Sequence, residues 1–425
     1  MKKVFTSLAL FTAVCAQSQQ IVSSWMINTT TTGKYYEVVS GNPTGNILDT
    51  GEPANCQLVC STADSVYVKC TGLAELMGPY LNPGAPTNQD YTWRFPKNPQ
   101  EETGTKYETE VTAAVGVLIN GVPAYGNGNA ASWNPSTSSN VNNGQGIWNA
   151  EAWYNEGFVL DTAYGAHPQQ QGAYHSHAVP KNLYDGVSGH SPLIGWSFDG
   201  FPIYGPYGYS TAMDNTSAVV RMETSYQLRN ITVRQTLPDG TVLSPPNYGP
   251  NVSSTYPLGM YIEDYEYVSG LGDLDEYNGR LCVTPEFPAG TYAYFVTMDA
   301  SGTPQYPYFI GNYYYGVVDE INIGMNGGHA SIPSNCVSGV NDVMNISSLT
   351  VYPNPGTTKF TIEVTGLNYT HANLTVFNAL GQKVYFGNLN ANAFNFDVSH
   401  LDNGSYFITV QSDEILLTKK VLIQD

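Results

Sequence analysis

Apolar positions in this chain come in short alternating runs, with Gly, Pro and Asn between them. Alternation sends successive side chains to opposite faces of a strand, whereas an amphipathic helix needs apolar residues three and four apart. On this basis residues 35–39 and 65–69 read as strands, and so do residues 111–119, which end in a turn at Asn120-Gly121-Val122-Pro123. Residues 126–150, rich in Gly, Asn and Ser, are expected to form a long loop. Between residues 222 and 246, Tyr226, Leu228, Ile231 and Val233 alternate and the pattern breaks at Pro238-Asp239-Gly240, which predicts a hairpin. A Tyr-rich pattern occupies residues 256–316, and residues 325–348 have the Gly, Ser and Asn content of a linker. Beyond it, runs at 360–364, 374–377, 383–386, 406–410 and 419–423 predict a small immunoglobulin-like β-sandwich.

Composition strengthens this picture. Charged residues make up only 12% of the chain, so the Glu- and Lys-rich runs of long helices are missing, while 32 Tyr favour strands and 42 Gly and 26 Pro favour turns. The expected class is mainly β. The formal charge of -19 is uneven: residues 1–16 carry +2, residues 17–348 carry -19 and residues 349–425 carry -2. So acidic a central region repels a phosphate backbone, which excludes nucleic acid as a partner.

The ends bear on destination. Lys2 and Lys3 precede an apolar stretch over residues 4–14, and Val14-Cys15-Ala16 forms a small-residue cleavage site before Gln17. This is the order of a secretory signal peptide over residues 1–16. The stretch is shorter than the roughly 20 residues that span a bilayer, and no later segment reads as a transmembrane helix. Cys56, Cys60, Cys70, Cys282 and Cys336 remain after cleavage, in a compartment that permits disulfides. Without a CxxC pair they read as structural bridges rather than a zinc cluster, and their pairing stays open.

Candidate chemistry gathers in the centre. Four of seven histidines, His167, His175, His177 and His190, fall within residues 167–190. On a strand, His175 and His177 share one face, where two neutral imidazoles can chelate a transition metal, copper or zinc. His167 is the expected third ligand, and Asp161, Asp199, Asp275 or Glu286 are carboxylates available to complete or orient the set. His190, before Ser-Pro in a Gly-rich loop, is expected to be exposed. Asp199-Gly200 also reads as a hairpin turn. Trp133, Trp148, Trp153 and Trp196 support a second reading, a binding module for glycans or another surface polymer. A hydrolase is the third reading, although no GxSxG elbow, HExxH motif or spaced carboxylate pair supports it. Whether the chain is an enzyme stays open.

Two resemblances organise these observations. GAYHSHAVP (172–180), SPLIGWSFDGFPIYGPYGY (191–209), and LDEYNGR (274–280) with TPEFPAGTYAYFVT (284–297) resemble the YHYH domain, a family named for its Tyr-His-x-His strand. Here the motif is Tyr174-His175-Ser176-His177, with Ser176 in place of the second Tyr. Some members carry a second His pair where this chain has Ala293 and Phe295. The resemblance implies a fold neighbourhood and no particular reaction. The YPNP opening at 352–355, LGQKV at 380–384, NGSYFITV at 403–410 and KKVLI at 419–423 resemble the type A C-terminal sorting domain of the type IX secretion system of Bacteroidetes. That resemblance implies the type IX machinery as partner through residues 349–425, transport across both membranes, and release or anchoring at the cell surface. The expected organisation is a signal peptide (1–16), a β-rich extension (17–109), a YHYH-like domain (110–324), a linker (325–348) and the sorting domain (349–425).

Overall fold

The structure, a computed structural model, describes residues 20–82, 84–142, 146–169, 171–185, 188–324, 327–338, 348–365, 373–378, 382–388, 393–411 and 416–424. The expected signal peptide lies outside these residues. The chain is mainly β and divides into two compact units at Val337/Ser338.

The first unit is organised on an eight-stranded mixed sheet. Its spatial order is Ala166–Pro168, Tyr174–Ser176, Pro123–Tyr125, Ala114–Leu118, Leu193–Ser197, Pro202–Tyr204, Thr291–Phe295 and Gly279–Cys282. The inner strands Ala114–Leu118, Leu193–Ser197 and Thr291–Phe295 are buried at every position, as strands covered on both faces must be. The turn at Asp199-Gly200 joins Leu193–Ser197 to Pro202–Tyr204 as the sequence predicts, with Gly200 at φ +83°.

The segment before residue 110 shares this unit's core. Trp93 stacks on Phe198 with ring centroids 5.3 Å apart, and Phe95 packs against Trp25 at 5.4 Å. Strands Cys56–Ser61, Ser65–Cys70 and Tyr91–Pro96 form a second sheet whose outer member is Val337–Ser338. A disulfide joins Cys60 to Cys336 across 276 residues of sequence. Thr92 also bridges to His329, so residues 327–337 are tied into this unit and are not free linker. Residues 325–326 and 339–347 of the expected linker lie outside the described residues.

Two further expectations differ. Within the expected loop over 126–150, strands Gly128–Asn134, Ser139–Asn142 and Asn149–Glu151 form a three-stranded sheet. Its backbone pairing and the buried Trp133 and Trp148 outweigh a turn-like composition. The predicted hairpin over 222–246 reduces to a bridge between Thr236 and Val242 at the Pro238-Asp239-Gly240 turn. Tyr226–Leu228 pairs instead with Tyr265–Tyr267, because Arg234 is drawn into the core by Asp264.

The second unit is a sandwich of two antiparallel sheets. One holds Ser348–Tyr352, Lys359–Thr365 and Ala393–Asp397; the other holds Lys383–Asn388, Asn373–Asn378, Gly404–Gln411 and Leu416–Ile423. Phe360, Ile362 and Val364 alternate inward from the first sheet and meet Leu374, Val376, Ile408, Val410, Val421 and Ile423 from the second.

Candidate metal centre

Two local rules bring three imidazoles together at one end of the large sheet. Ala166–Pro168 and Tyr174–Ser176 pair antiparallel with His167 directly opposite His175. Directly opposed residues point to the same face. His177 follows two residues after His175, and its N–H donates to Gly165 O at 3.0 Å. The turn between the strands depends on Gly172, at φ +80°, whose N–H donates to Gln169 O. Tyr174 and Ser176 occupy the other face. Tyr174 donates its hydroxyl to Asp161, and Ser176 donates to Tyr164 O at 2.6 Å.

All three histidines are buried, with His175 and His177 each 3% exposed. Among the described residues, theirs is the group of His, Cys and acidic side chains whose ligand atoms lie close enough for one ion, within 4.8 Å of one another. His175 Nδ1 donates to Ala173 O at 2.9 Å, and His177 Nδ1 donates to Gly126 O at 3.2 Å. A carbonyl oxygen only accepts, so each Nδ1 carries hydrogen and each neutral ring leaves an Nε2 lone pair. Those two Nε2 atoms stand 3.0 Å apart. The buried His167 has no backbone partner at either ring nitrogen, and its Nε2 faces Glu156 Oε2 at 3.4 Å. Gly126 is placed for this contact, since an added Cβ there would lie 1.9 Å from Glu110 O.

Facing lone pairs need a proton or a cation between them. A proton is disfavoured: burial holds His175 well below the usual imidazole range, and burial followed by the neighbouring His167 holds His177 at about 4 despite Glu156. The arrangement suits a cation. Ligand atoms about 2.0–2.1 Å from a tetrahedral zinc ion stand roughly 3.3–3.4 Å apart. The separations here are 3.0 Å between His175 and His177, 3.4 Å from His167 Nε2 to Glu156 Oε2, and 3.5 Å from His177 Nε2 to the same oxygen.

Glu156 is the carboxylate that sequence spacing does not single out. It ends the short helix Ala152–Glu156, which is capped by Glu151 accepting from Trp153 N and Tyr154 N. Burial pushes the Glu156 carboxyl up, but the hydrogen bond to His167 and the charges of His177 and His167 outweigh it and leave the group below its usual value. Tyr125 completes the surroundings, stacked on the His175 ring at 3.9 Å.

The carboxylates expected from the sequence go elsewhere. Asp199 accepts from Tyr294 Oη at 2.6 Å and Gly316 N at 2.8 Å, and Asp275 accepts from Tyr292 Oη at 2.8 Å. These are structural anchors of the Thr291–Phe295 strand, Asp199 buried and Asp275 half-buried, on the far side of the sheet's order from His175. Asp161 holds Tyr174, and Glu286 accepts from Tyr204 Oη at 2.7 Å. His190 is not exposed; it is packed among Tyr204, Tyr209 and Phe295. The tryptophans expected to stack on sugars are largely internal: Trp148 and Trp196 are 1% and 0% exposed, and Trp196 donates to Ser24 Oγ.

A family model described as YHYH protein matches residues 92–307, and one described as a secretion system C-terminal sorting domain matches residues 350–424. No curated protein matches. Among solved structures, one of PorZ, described as an essential bacterial surface component of the type-IX secretion system of Porphyromonas gingivalis, is 12% identical. The alignment covers 88% of this chain and 58% of that chain, with a TM-score of 0.18, too low to argue from.

Proposed function

The chain belongs to the YHYH protein family, and on that premise we propose that its first unit binds a transition metal through His167, His175 and His177, with Glu156 beside them as fourth ligand or partner. The sorting domain implies secretion to the cell surface or beyond. The full proposal is therefore a metal-binding module displayed or released by a type IX route, with residues 1–16 as export signal and a Bacteroidetes source.

The observation that carries the reading is the pair of buried Nε2 atoms 3.0 Å apart, each on a ring whose Nδ1 is committed to a carbonyl. A backbone partner at one nitrogen fixes the tautomer and orients the other toward a metal. Imidazole donors with one carboxylate fit zinc or copper better than calcium or magnesium, which take oxygen ligands. A bound ion of this kind supplies Lewis acidity or lowers the pKa of water where a coordination position is open. The chain's own residues orient the His175 and His177 rings through Ala173 O and Gly126 O and exclude water from both. A reaction is not part of the proposal.

A second reading keeps one feature in its favour. A cleft of about 310 Å³ is lined by Trp133, Asn134, Trp148 and Asn247, and its mixed polar and aromatic wall suits a sugar.

Elemental analysis of the secreted protein separates the two readings. Wild type is expected to hold near-stoichiometric zinc or copper, and His175→Ala/His177→Ala to hold none. Wild-type protein that stays metal-free after reconstitution with both ions would overturn the metal reading and turn attention to glycans.

A further inference from the structure

Strands Cys56–Ser61 and Ser65–Cys70 form an antiparallel pair in which Cys56 lies directly opposite Cys70. The backbone of Cys56 is turned the other way: its N–H donates to Met26 O at 3.1 Å, and its C=O accepts from Asn28 N at 2.8 Å. Cys56 and Cys70 are thus a non-hydrogen-bonded pair beside a bulge between Cys56 and Leu58; such pairs bring opposed side chains closest, with Cα atoms roughly 4.5 Å apart in regular ladders. Disulfides accept Cα separations of about 4.4–6.8 Å. Both side chains are buried, and both are free thiols in this structure. Cys56 Sγ also faces Ile119 O at 3.7 Å, and Cys70 Sγ faces Gly121 O at 3.3 Å.

We propose that Cys56 and Cys70 close a second disulfide in the exported protein, beside the Cys60–Cys336 bridge. The sorting domain directs the chain out of the reducing cytoplasm. Two bridges account for four of the five cysteines after residue 16 and leave Cys282, on the edge strand Gly279–Cys282, as the free thiol. The bond forms by thiol–disulfide exchange with a donor disulfide of the cell envelope. Cys56 and Cys70 lose two protons and two electrons, one S–S bond forms between them, and the donor is reduced to two thiols. Because both thiols are enclosed in the folded unit, exchange takes place before the core closes. The resulting rung sits under the Ile119–Gly121 turn, between the Ala114–Leu118 and Pro123–Tyr125 strands. The inference does not rest on the metal reading.

The test counts thiols on exported, processed protein, fully denatured and never reduced, with a tryptic map of alkylated cysteines. One reactive thiol per chain, assigned to Cys282, is expected, and Cys70→Ser should raise the count to two by releasing Cys56. The same single thiol is expected in Cys60→Ser/Cys336→Ser, which removes the other bridge and any exchange with it. Alkylated Cys56 and Cys70 in protein whose Cys60 and Cys336 are joined would overturn the proposal, as would three reactive thiols in Cys60→Ser/Cys336→Ser or a bond from Cys56 to any other cysteine.

Discussion

His167, His175 and His177 converge because a cross-strand pair puts His167 opposite His175, and His177, the first residue past the second strand, returns two residues later to the same side. Everything else about the centre follows from what the rings are denied. Ala173 O and Gly126 O take the Nδ1 hydrogens, and burial removes the water that would otherwise satisfy Nε2. Two outcomes are expected of a competition titration against a chromophoric chelator. Glu156→Gln keeps the three rings and loses the carboxylate charge, so affinity should fall about 10–100-fold without vanishing. The pH dependence should also be unlike that of ordinary imidazoles, which protonate near 6.5 and release metal as pH falls through that value. His177 stays neutral down to about 4 and His175 is also held low, so protonation of these two rings should not weaken binding between pH 7 and 5.5 and should do so only as pH approaches 4. Imidazole NMR resonances of His175 or His177 titrating near 6.5 in the metal-free protein would contradict this account of the burial. The three histidines were legible in the sequence, because strand periodicity alone puts 175 and 177 together and proximity adds 167. Glu156 was not, since it arrives on a five-residue helix that no periodic signal marks. Asp199 and Asp275 misled for the opposite reason: an acid beside a motif can be held by tyrosine hydroxyls as readily as by a metal.

Elements in this protein are short, and polar anchors replace regular structure where the strands give out. Arg234 is the clearest case. It is fully buried, pairs with both carboxylate oxygens of Asp264 at 2.7 Å, and gives its remaining hydrogens to the carbonyls of Pro250, Tyr256 and Pro257. Asp264 in turn accepts from Gly259 N and Tyr261 N, so one ion pair fixes a stretch with few strands. Truncating one partner of such a pair leaves a charge buried and unpaired, at a cost of about 3–5 kcal/mol. Arg234→Ala should lower the stability of the first unit by that amount in urea unfolding monitored by tyrosine and tryptophan fluorescence. A loss below about 1 kcal/mol would mean that the segment is held by its aromatic contacts instead. This anchor also explains which elements could be read in advance. A continuous apolar run such as Ala114–Leu118 and an alternating one such as Lys359–Thr365 were both visible in the sequence. The hairpin predicted over 222–246 followed the same rule and failed, because the residue drawn inward at 234 is an arginine that no hydropathy pattern would place inside.

At the scale of the whole molecule, the division at Val337/Ser338 separates a unit rich in buried polar anchors from one held by a plain alternating core. The second unit contains no buried histidine or carboxylate among its described residues, and its inward positions are Val, Ile, Leu, Phe and Tyr. Such a core specifies a compact shape and leaves recognition to the surface, which is what a sorting domain requires of its fold. The first unit is also closed on itself at its end, since the Cys60–Cys336 bridge returns the chain to the Cys56–Ser61 strand one residue before the division. Removing residues 349–425 should therefore leave the first unit folded and able to bind metal while abolishing its arrival at the cell surface. Surface proteolysis and fractionation of cells expressing the truncated chain, with elemental analysis of the material retained inside, measure both parts. Truncated protein that still reached the surface would disprove the sorting role. Retained protein that had lost its metal together with its fold would show instead that the first unit depends on the second, against the closure that its disulfide provides.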